Sequence, residues 1–560
     1  MTALLTDNLP LLAGAPNGIK KLRELILELA VRGKLLEQNA NDEPASELLK
    51  QIAEEKNQLV AKGKTKEQVF LQEIGEAAAP FKAAPGWLWI KLGDISLIER
   101  GGSPRPIKDF LTEDADGLNW IKIGDTDKGG KYITSAGEKI RREGLFKTRM
   151  VYPGDFLLTN SMSFGRPYIT QIEGCIHDGW LRISPPASLV KDYLYLLLSS
   201  PYVRSFFVQA AAGAVVLNLN ADKVRELPIP LPPILEQHRI VAKVDELMAL
   251  CDRLEAQQAD AECAHAQLVH ALLDSLTQAS DATAMDGGNA ENAGAIFGQD
   301  FAANWQRLAE HFHTLFTTEP SIDALKQTLL QLAVMGKLVP QDPSDEPAIE
   351  LLKRIIEEKA SSGSGGRSRK QTDLPDIDDS EKAFKLPGAW EWVRLQQIIS
   401  VSSGDGLVSA NMKADGGVPV YGGNGVTGYH DEKNVDNETL VIGRVGYYCG
   451  SIHLTPANAW VTDNALIVSF SEKNIYKKFL FWLLKGTNLK EQESATAQPV
   501  ISGRKIYPIV LAIPPLAEQH RIVAKVDQLM ALCDQLKTRL TQARQLNEQL
   551  ASTLVEQAVA

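Results

Sequence analysis

Cysteine is scarce in this chain: five among 560 residues, an odd number with no CxxC pair. That excludes a disulfide framework and a zinc ribbon, and makes a reducing cytoplasm the expected compartment. No apolar run is long enough to cross a bilayer, so no membrane role is expected. The opening MTALLTDNLP lacks the basic start and small-residue cleavage site of a secretory leader. An excess of positive charge is missing as well, with 59 Lys and Arg against 70 Asp and Glu and a net charge of −11. On its face this balance argues against nucleic acid, yet charge has to be located before it is interpreted. Residues 80 to 230 hold 19 Lys and Arg against 16 Asp and Glu, and residues 385 to 513 hold 12 against 11. The acidity sits outside these two stretches, whose faintly basic balance permits DNA contact.

Catalytic signatures are absent too. There is no P-loop and no Asn/Asp-Pro-Pro-aromatic motif of the kind that holds a flipped base for amino methylation. GNGVTG at 423 to 428 matches GxGxxG, but a dinucleotide site needs a helix directly after it, and YHDEKNVDNETL reads as a turn leading to a strand. His311 and His313, or Cys251 with Cys263, offer no set of four metal ligands and read as helix-packing histidine and core cysteine. No catalytic residue, cofactor site or metal site is expected.

What is present is repetition. EQHRIVAKVD occurs at 236 to 245 and again at 518 to 527 without a mismatch. The match extends from Pro232 and Pro514, an offset of 282, through MALCDRL and MALCDQL. A second pair, LRELILELAVRGKLLEQNANDEPASELLKQIAEEK from Leu22 and LKQTLLQLAVMGKLVPQDPSDEPAIELLKRIIEEK from Leu325, aligns without gaps at an offset of 303 and holds to Trp87-Leu-Trp89 and Trp390-Glu-Trp392. Between these blocks the two halves do not align. The chain is two copies of one plan: helix block, variable segment, helix block.

The blocks read as helices. Two prolines precede Glu236 and Glu518, a good start for a helix. Ile240, Val244, Leu247, Cys251 and Leu254 then step by alternating fours and threes, as do Ile522, Val526, Leu529, Cys533, Leu536 and Leu540. This is a coiled-coil seam on helices roughly 60 Å long, each expected to use the other as partner. The first block predicts two helices broken at Gly33-Lys34-Leu35 and restarted at Asp42-Glu43-Pro44, and its twin breaks at Gly336-Lys337-Leu338 and restarts at Asp345-Glu346-Pro347. Matching His238 and His520, Arg239 and Arg521, and Lys34 and Lys337 are not demanded by apolar packing. Polar stretches at 280 to 295 and 360 to 380 read as flexible linkers, with a helix between them at Phe301 to Phe316 carrying Trp305, Leu308, Phe312 and Leu315.

The variable segments hold short apolar runs punctuated by Gly, Pro and Asp, which predicts small mixed α/β domains. Their loops carry side chains suited to base edges and phosphates. In the first these are Arg105, Lys122, Asp125, Asn160, Ser161, Ser163, Arg166, Asn218 and Asn220; in the second, Tyr421, Asn424, Arg444, Ser502 and Arg504. The expected division is a helical region at 1 to 79, a variable domain at 80 to 231, a long helix at 232 to 279, linker plus helical region at 280 to 384 (repeating 19 to 56 at 322 to 359), a variable domain at 385 to 513 and a long helix at 514 to 560.

Two unlike segments, each followed by a PP-x-x-EQ-x-x-IV-x-K-x-D helix and accompanied by an L-x-x-x-x-LAV-x-GKL-x-x-Q block, resemble the specificity subunit of a Type I restriction–modification enzyme. The resemblance implies a mixed α/β fold with two target recognition domains separated by long helices in an antiparallel coiled coil. It implies that each domain reads half of a bipartite, asymmetric double-stranded DNA site while the helices set the spacer. It also implies a non-catalytic chain that recruits two modification subunits, holding S-adenosylmethionine, and two restriction subunits, holding ATP and Mg. Under this resemblance the docking and coil positions are Gly33, Lys34, Leu35, Gly336, Lys337, Leu338, His238, Arg239, Ile240, Val244, Leu247, Leu254, His520, Arg521, Ile522, Val526, Leu529 and Leu536. A coiled-coil adaptor for proteins, without sequence-dependent DNA retention, is the competing reading.

Overall fold

A computed structural model describes residues 11–61, 73–127, 129–160, 164–211, 219–278, 302–362, 374–487, 489 and 500–559. The chain divides into two compact units, 1–260 with 543–560, and 261–542. The expected linker at 280 to 295, and 363 to 373 of the second linker, lie outside the described residues.

In chain order the first unit holds α1 (Gly18–Val31), α2 (Ala45–Ala61), β1 (Leu88–Lys91), β2 (Leu97–Arg100), β3 (Leu111–Thr112), β4 (Leu118–Ile121), β5 (Tyr132–Ile133), β6 (Glu138–Ile140), β7 (Arg149–Val151), β8 (Phe156–Thr159), β9 (Pro167–Thr170), β10 (Gly174–Ile176), β11 (Trp180–Ser184), α3 (Lys191–Ser199), α4 (Pro201–Ala211), β12 (Pro228–Leu231) and the start of α5 (Ile234–Gln278). Two five-stranded sheets, in the orders β3-β6-β4-β10-β7 and β2-β11-β8-β9-β5, form the variable segment. Alternate strand residues fill the space between them, with Ile121, Leu157, Tyr168, Ile176 and Trp180 buried together. The segment begins and ends in one place, because β1 pairs antiparallel with β12, Leu88 opposite Leu231.

The second unit holds α6 (Glu319–Val334), α7 (Ala348–Ser362), β13 (Glu391–Arg394), β14 (Ile399–Ser403), β15 (Val418–Gly422), β16 (Gly425–His430), β17 (Leu440–Gly443), β18 (Ile452–Leu454), β19 (Trp460–Val461), β20 (Ala465–Phe470), α8 (Lys477–Gly486), β21 (Val510–Ile513) and the start of α9 (Leu516–Val559). Its sheets have four strands, β14-β20-β17-β18, and three, β16-β15-β19. The segment again closes on itself through β13 and β21. The helix expected at 301 to 316 is present at 302 to 310 and Phe312–Leu315, with Leu308 and Leu315 buried.

GNGVTG is a hairpin joining β15 to β16, with Gly425 at φ 78°, so no helix follows it to receive a pyrophosphate. Cys251 is buried as expected, but Cys263 is exposed on the outward face of α5 and is not a core residue.

About the first six turns of each long helix are covered by the helix of its own half. Ile240, Val244 and Cys251 share a core with Leu22 and Ile26 of α1, and Arg23 Nη2 pairs with Asp252 at 2.7 Å and Glu255 at 2.8 Å. In the second unit Ile522, Val526, Met530 and Cys533 share a core with Leu325 and Leu329, and Lys537 reaches Asp323 at 2.9 Å. Each fully buried Leu or Ile contributes about 1.5–3 kcal/mol. The last turns of α9 join α1 in the first unit: Lys21 Nζ donates to Ser552 Oγ at 2.7 Å and Lys34 Nζ to the Val559 carbonyl at 2.8 Å. Numbers therefore rise together along α1 and α9, whereas Arg23 faces Asp252 and the Gly33 end faces Glu236 through Trp87. Along α1 the two long helices run in opposite directions, as the resemblance implies.

Both GKL breaks are helix ends of one type. Lys34 N–H donates to the Leu29 carbonyl and Gly33 N–H to Ala30, and Lys337 and Gly336 repeat this with Leu332 and Ala333. This double bond pattern needs a left-handed residue, supplied by Gly33 at φ 66° and Gly336 at φ 70°. A Cβ at Gly33 would also lie 2.7 Å from that of Ala84, so a close approach adds a second demand for glycine.

The repeated EQHR is a latch whose Glu, Gln and Arg take corresponding partners in the two units. Glu236 accepts the indole N–H of Trp87 at 2.8 Å, and Glu518 that of Trp390 at 2.9 Å. Gln341 Nε2 also donates to Glu518 at 2.7 Å, while its counterpart Gln38 donates to the Gly33 carbonyl at 3.2 Å. Gln237 accepts the Val190 N–H at 3.1 Å and donates to the Pro232 carbonyl at 2.9 Å; Gln519 does the same with Tyr476 at 2.8 Å and Pro514 at 3.1 Å. Arg239 forks onto Asp42 and Arg521 onto Asp345. Both arginines, taken from the sequence as docking positions, thus have an internal use: they hold the DEP start of α2 and of α7.

Burial pushes both latch carboxyls above their ordinary range, against the indole and amide bonds that lower them. A raised folded value means that the carboxyl's contribution is fully present below about pH 4.5 and is lost as pH rises through the raised value. Glu236→Ala leaves a buried indole donor without its acceptor and should cost about 1–3 kcal/mol. Glu236→Gln keeps an acceptor oxygen without the buried charge, so thermal melts should show it gaining on wild type between pH 5 and pH 7. An unchanged gap between the two pH values would refute this account.

Candidate nucleic-acid interface

In the first segment the loop after β2, Gly101 to Ile107, folds over the start of the β4 exit loop. Between them and the β10–β11 turn lies an open cleft of about 820 Å³, lined by Ser103, Arg105, Trp120, Lys122, His177 and Asp178 among others. Arg105 projects at its mouth, 80% exposed, with Nη2 3.6 Å from Asp178 Oδ2. Lys122 Nζ meets Glu138 at 2.6 Å. Residues Arg142–Lys147 form a short helical loop against the same wall: the Lys147 carbonyl lies beside Gly102, and Pro104 beside Gly144. Arg141, Arg142, Phe146 and Lys147 are exposed there, so a basic rim with an aromatic runs on from the cleft.

Of the residues expected to contact DNA, Arg105 and Lys122 line one cleft, whereas Ser103, His177, Asp178 and this rim were not among those expected. The signal was present as RREGLFK and IHDGW, but nothing local shows that strands β4, β7 and β10 bring both beside Arg105.

Other candidates are committed inside the fold. Asp125 accepts the Lys122 and Gly137 backbone N–H groups at 2.7 and 3.2 Å and shapes the turn after β4. Asn160 is buried and donates to the Asp178 carbonyl at 2.7 Å. Asn220 caps a short helix by accepting from the Lys223 N–H at 2.9 Å. Arg166 lies over the Tyr168 ring at 5.3 Å. Ser161, Ser163 and Asn218 lie outside the described residues.

In the second segment Asn424 is exposed at the β15–β16 turn, whose Gly423 carbonyl accepts the Ser451 hydroxyl at 2.7 Å. This seats the turn against the loop Gly443 to Ser451, where Arg444 donates to Ser403 Oγ and the Asp463 carbonyl, both at 3.2 Å. The Arg444 carbonyl in turn accepts the Ile501 N–H at 2.9 Å, which brings Ser502 and exposed Arg504 alongside. Tyr421 is half-buried on β15. Tyr447 and Tyr448, both exposed, extend this surface and were missed by sequence reading. Of the positions tied to docking, His238 and His520 are exposed, the latter stacked on Tyr476 at 4.0 Å. Ile240, Val244, Ile522 and Val526 are core, while Leu247, Leu254, Leu529 and Leu536 flank it, as do Leu35 and Leu338.

His177 floors the first cleft. The Ile123 N–H lies 3.1 Å from its Nε2 and the Gly179 N–H 2.7 Å from its Nδ1. A neutral imidazole accepts from one of them and an imidazolium from neither. Burial also pushes the ring below its usual range, opposed by Asp178. The Ser103 hydroxyl, bonded at 2.7 Å, holds the Asp178 carboxyl below the ordinary carboxylate range. Among the described residues no three His, Cys, Asp or Glu side chains converge as metal ligands, and no helix is long and apolar enough to cross a membrane.

A family model described as the Type I restriction modification DNA specificity domain matches residues 85–262 and again 387–544. The EcoEI specificity subunit of a Type I restriction enzyme from Escherichia coli is 35% identical over 97% of this chain and 94% of its own. The EcoAI specificity subunit, also from Escherichia coli, is 36% identical over the same shares. A solved chain from work on complex assembly and conformational transition of the type I R-M system aligns at 18% identity over 86% of this chain and 99% of that chain, with a TM-score of 0.49.

The neutral His177 ring stabilises the cleft floor above about pH 6.5, and this is lost as pH falls through its lowered folded value. By NMR its Cε1 proton should titrate with a midpoint below 6.5. A midpoint above that would mean that Asp178 outweighs burial.

Proposed function

Because this chain belongs to the family of Type I restriction enzyme specificity subunits, with two recognition domains, we propose that each variable segment reads one half of a bipartite, asymmetric DNA site. The observation that supports this most is that one repeated latch holds two differently built segments in the same way. Equal mounting with unequal faces suits a site whose halves differ while the docked partners are alike. The long helices set the distance between the halves.

The chain itself performs no chemistry in this reading. Two modification subunits, which hold S-adenosylmethionine and methylate adenine, and two restriction subunits, which hold ATP and Mg, dock on the repeated helices. All act in the cytoplasm. In the first segment the cleft residues face base edges, while Arg141, Arg142 and Lys147 track phosphates.

Adenine-methylation mapping of DNA from cells expressing this chain with its modification subunit, against cells lacking this chain, tests the reading. A split motif methylated on both strands and dependent on this chain is expected; none, despite an assembled complex, would favour a protein-binding adaptor. Replacing Arg141 and Arg142 with Ala should weaken binding of cognate and non-cognate duplexes alike. The slope of log K against log salt should fall by up to about 2, since each phosphate contact contributes about 0.9. A selective loss for cognate DNA would show base contact instead.

A further inference from the structure

The mouth of the first cleft sets a fork of donors beside an acceptor. Ser103 Oγ donates to Asp178 Oδ1 at 2.7 Å and accepts the Asp178 N–H at 3.4 Å. The carbonyl of Asp178 is held as well, by Asn160 Nδ2 at 2.7 Å and Arg100 Nε at 3.3 Å. With one oxygen and its backbone clamped, the other oxygen, Oδ2, stands toward Arg105. Their 3.6 Å separation exceeds the roughly 2.7–2.9 Å of a full charge-assisted bond, so both groups keep bonding capacity. Arg105 is 80% exposed, and the Asp178 side chain 43%.

This pattern has a natural complement. In the major groove a G·C pair shows two acceptors, N7 and O6 of guanine, and then a donor, the N4 amino group of cytosine. An A·T pair shows acceptor, donor, acceptor, so a carboxylate set beside an arginine would meet thymine O4 and be repelled. Fixing the carboxylate through Ser103 makes that rejection rigid, because a buried polar mismatch cannot be relieved by side-chain rotation.

We propose that Arg105 and Asp178 together read one G·C pair in the half-site bound by the first segment, Arg105 donating to guanine O6 and N7 and Asp178 Oδ2 accepting from cytosine N4. The assignment rests on the functional reading above and adds the base and the residues. Lys122, paired with Glu138 on the opposite wall, and the Arg141–Lys147 rim supply phosphate contacts that fix register.

The test uses the complex assembled with its modification subunit and duplexes carrying the mapped motif, each base pair of this half replaced in turn. Wild type should discriminate roughly 10- to 100-fold against replacement of one G·C pair. Arg105→Ala should reduce discrimination there to about threefold or less and leave the other positions unchanged, since a base contact carries local information. Arg105→Gln should weaken discrimination at the same pair without moving the preference to A·T, because Asp178 Oδ2 still faces the thymine O4 position. As the side chain projects into solvent, neither variant should change the melting temperature. A uniform loss on all duplexes with a shallower salt slope, an unchanged motif, or relaxation at an A·T pair would each overturn the assignment while leaving the functional reading intact. Absence of any split motif with wild type would instead defeat that reading, and this inference with it.

Discussion

A buried carboxylate held by a tryptophan indole recurs in each unit, and the other contacts of the repeat are arranged around it. Glu236 and Glu518 are only 2% and 1% exposed, at a place where ionisation is costly. Their bonds to Trp87 and Trp390 offset that cost and join the first turn of a long helix to the residue just before the strand that opens each variable segment. Breaking either partner strands a buried polar group, which is why such pairs specify geometry more firmly than apolar contacts do.

Around that bond the remaining latch residues act in series. Gln237 and Gln519 bind the backbone where α3 and α8 begin, and Arg239 and Arg521 bind the start of the next helix. Each variable segment also leaves and returns through one antiparallel ribbon, β1 with β12 and β13 with β21. A segment mounted by its two ends and one helix can change its interior sheets without disturbing the mount. The first has two five-stranded sheets and the second a four- and a three-stranded sheet on the same mount.

Helix packing follows the same economy. A lone amphipathic helix of this length would expose its seam, and the sequence offers the other long helix as the evident cover. In each unit the first turns instead use the LAV-GKL helix, reinforced by Arg23 with Asp252 and by Lys537 with Asp323. The distal turns of α9 come back to α1 through Lys21 and Lys34. Three stripes therefore share the load of one coil, and the matched lysine at 34 gains a purpose that spacing alone did not reveal.

The helical blocks, their breaks at Gly33 and Gly336, the twofold plan and the family were legible in the chain itself, because these depend on local periodicity, on the left-handed preference of glycine and on exact repetition. Arg105 and Lys122 were likewise legible as loop cations. The rest needed the tertiary structure. Asp125, Asn160 and Asn220 look like free polar loop residues until their bonds to backbone N–H and C=O groups are seen, since a turn's satisfaction depends on neighbours up to tens of residues away. His177 and Asp178 stand more than 70 residues from Ser103 and Arg105, yet parallel pairing of β10 with β4 and antiparallel pairing of β11 with β2 set them at one cleft. Strand order is decided by which faces bury together, not by any local pattern, so the sequence by itself determined the scaffold and its repeat, while only the folded sheets decided which side chains meet at the surface proposed to read DNA.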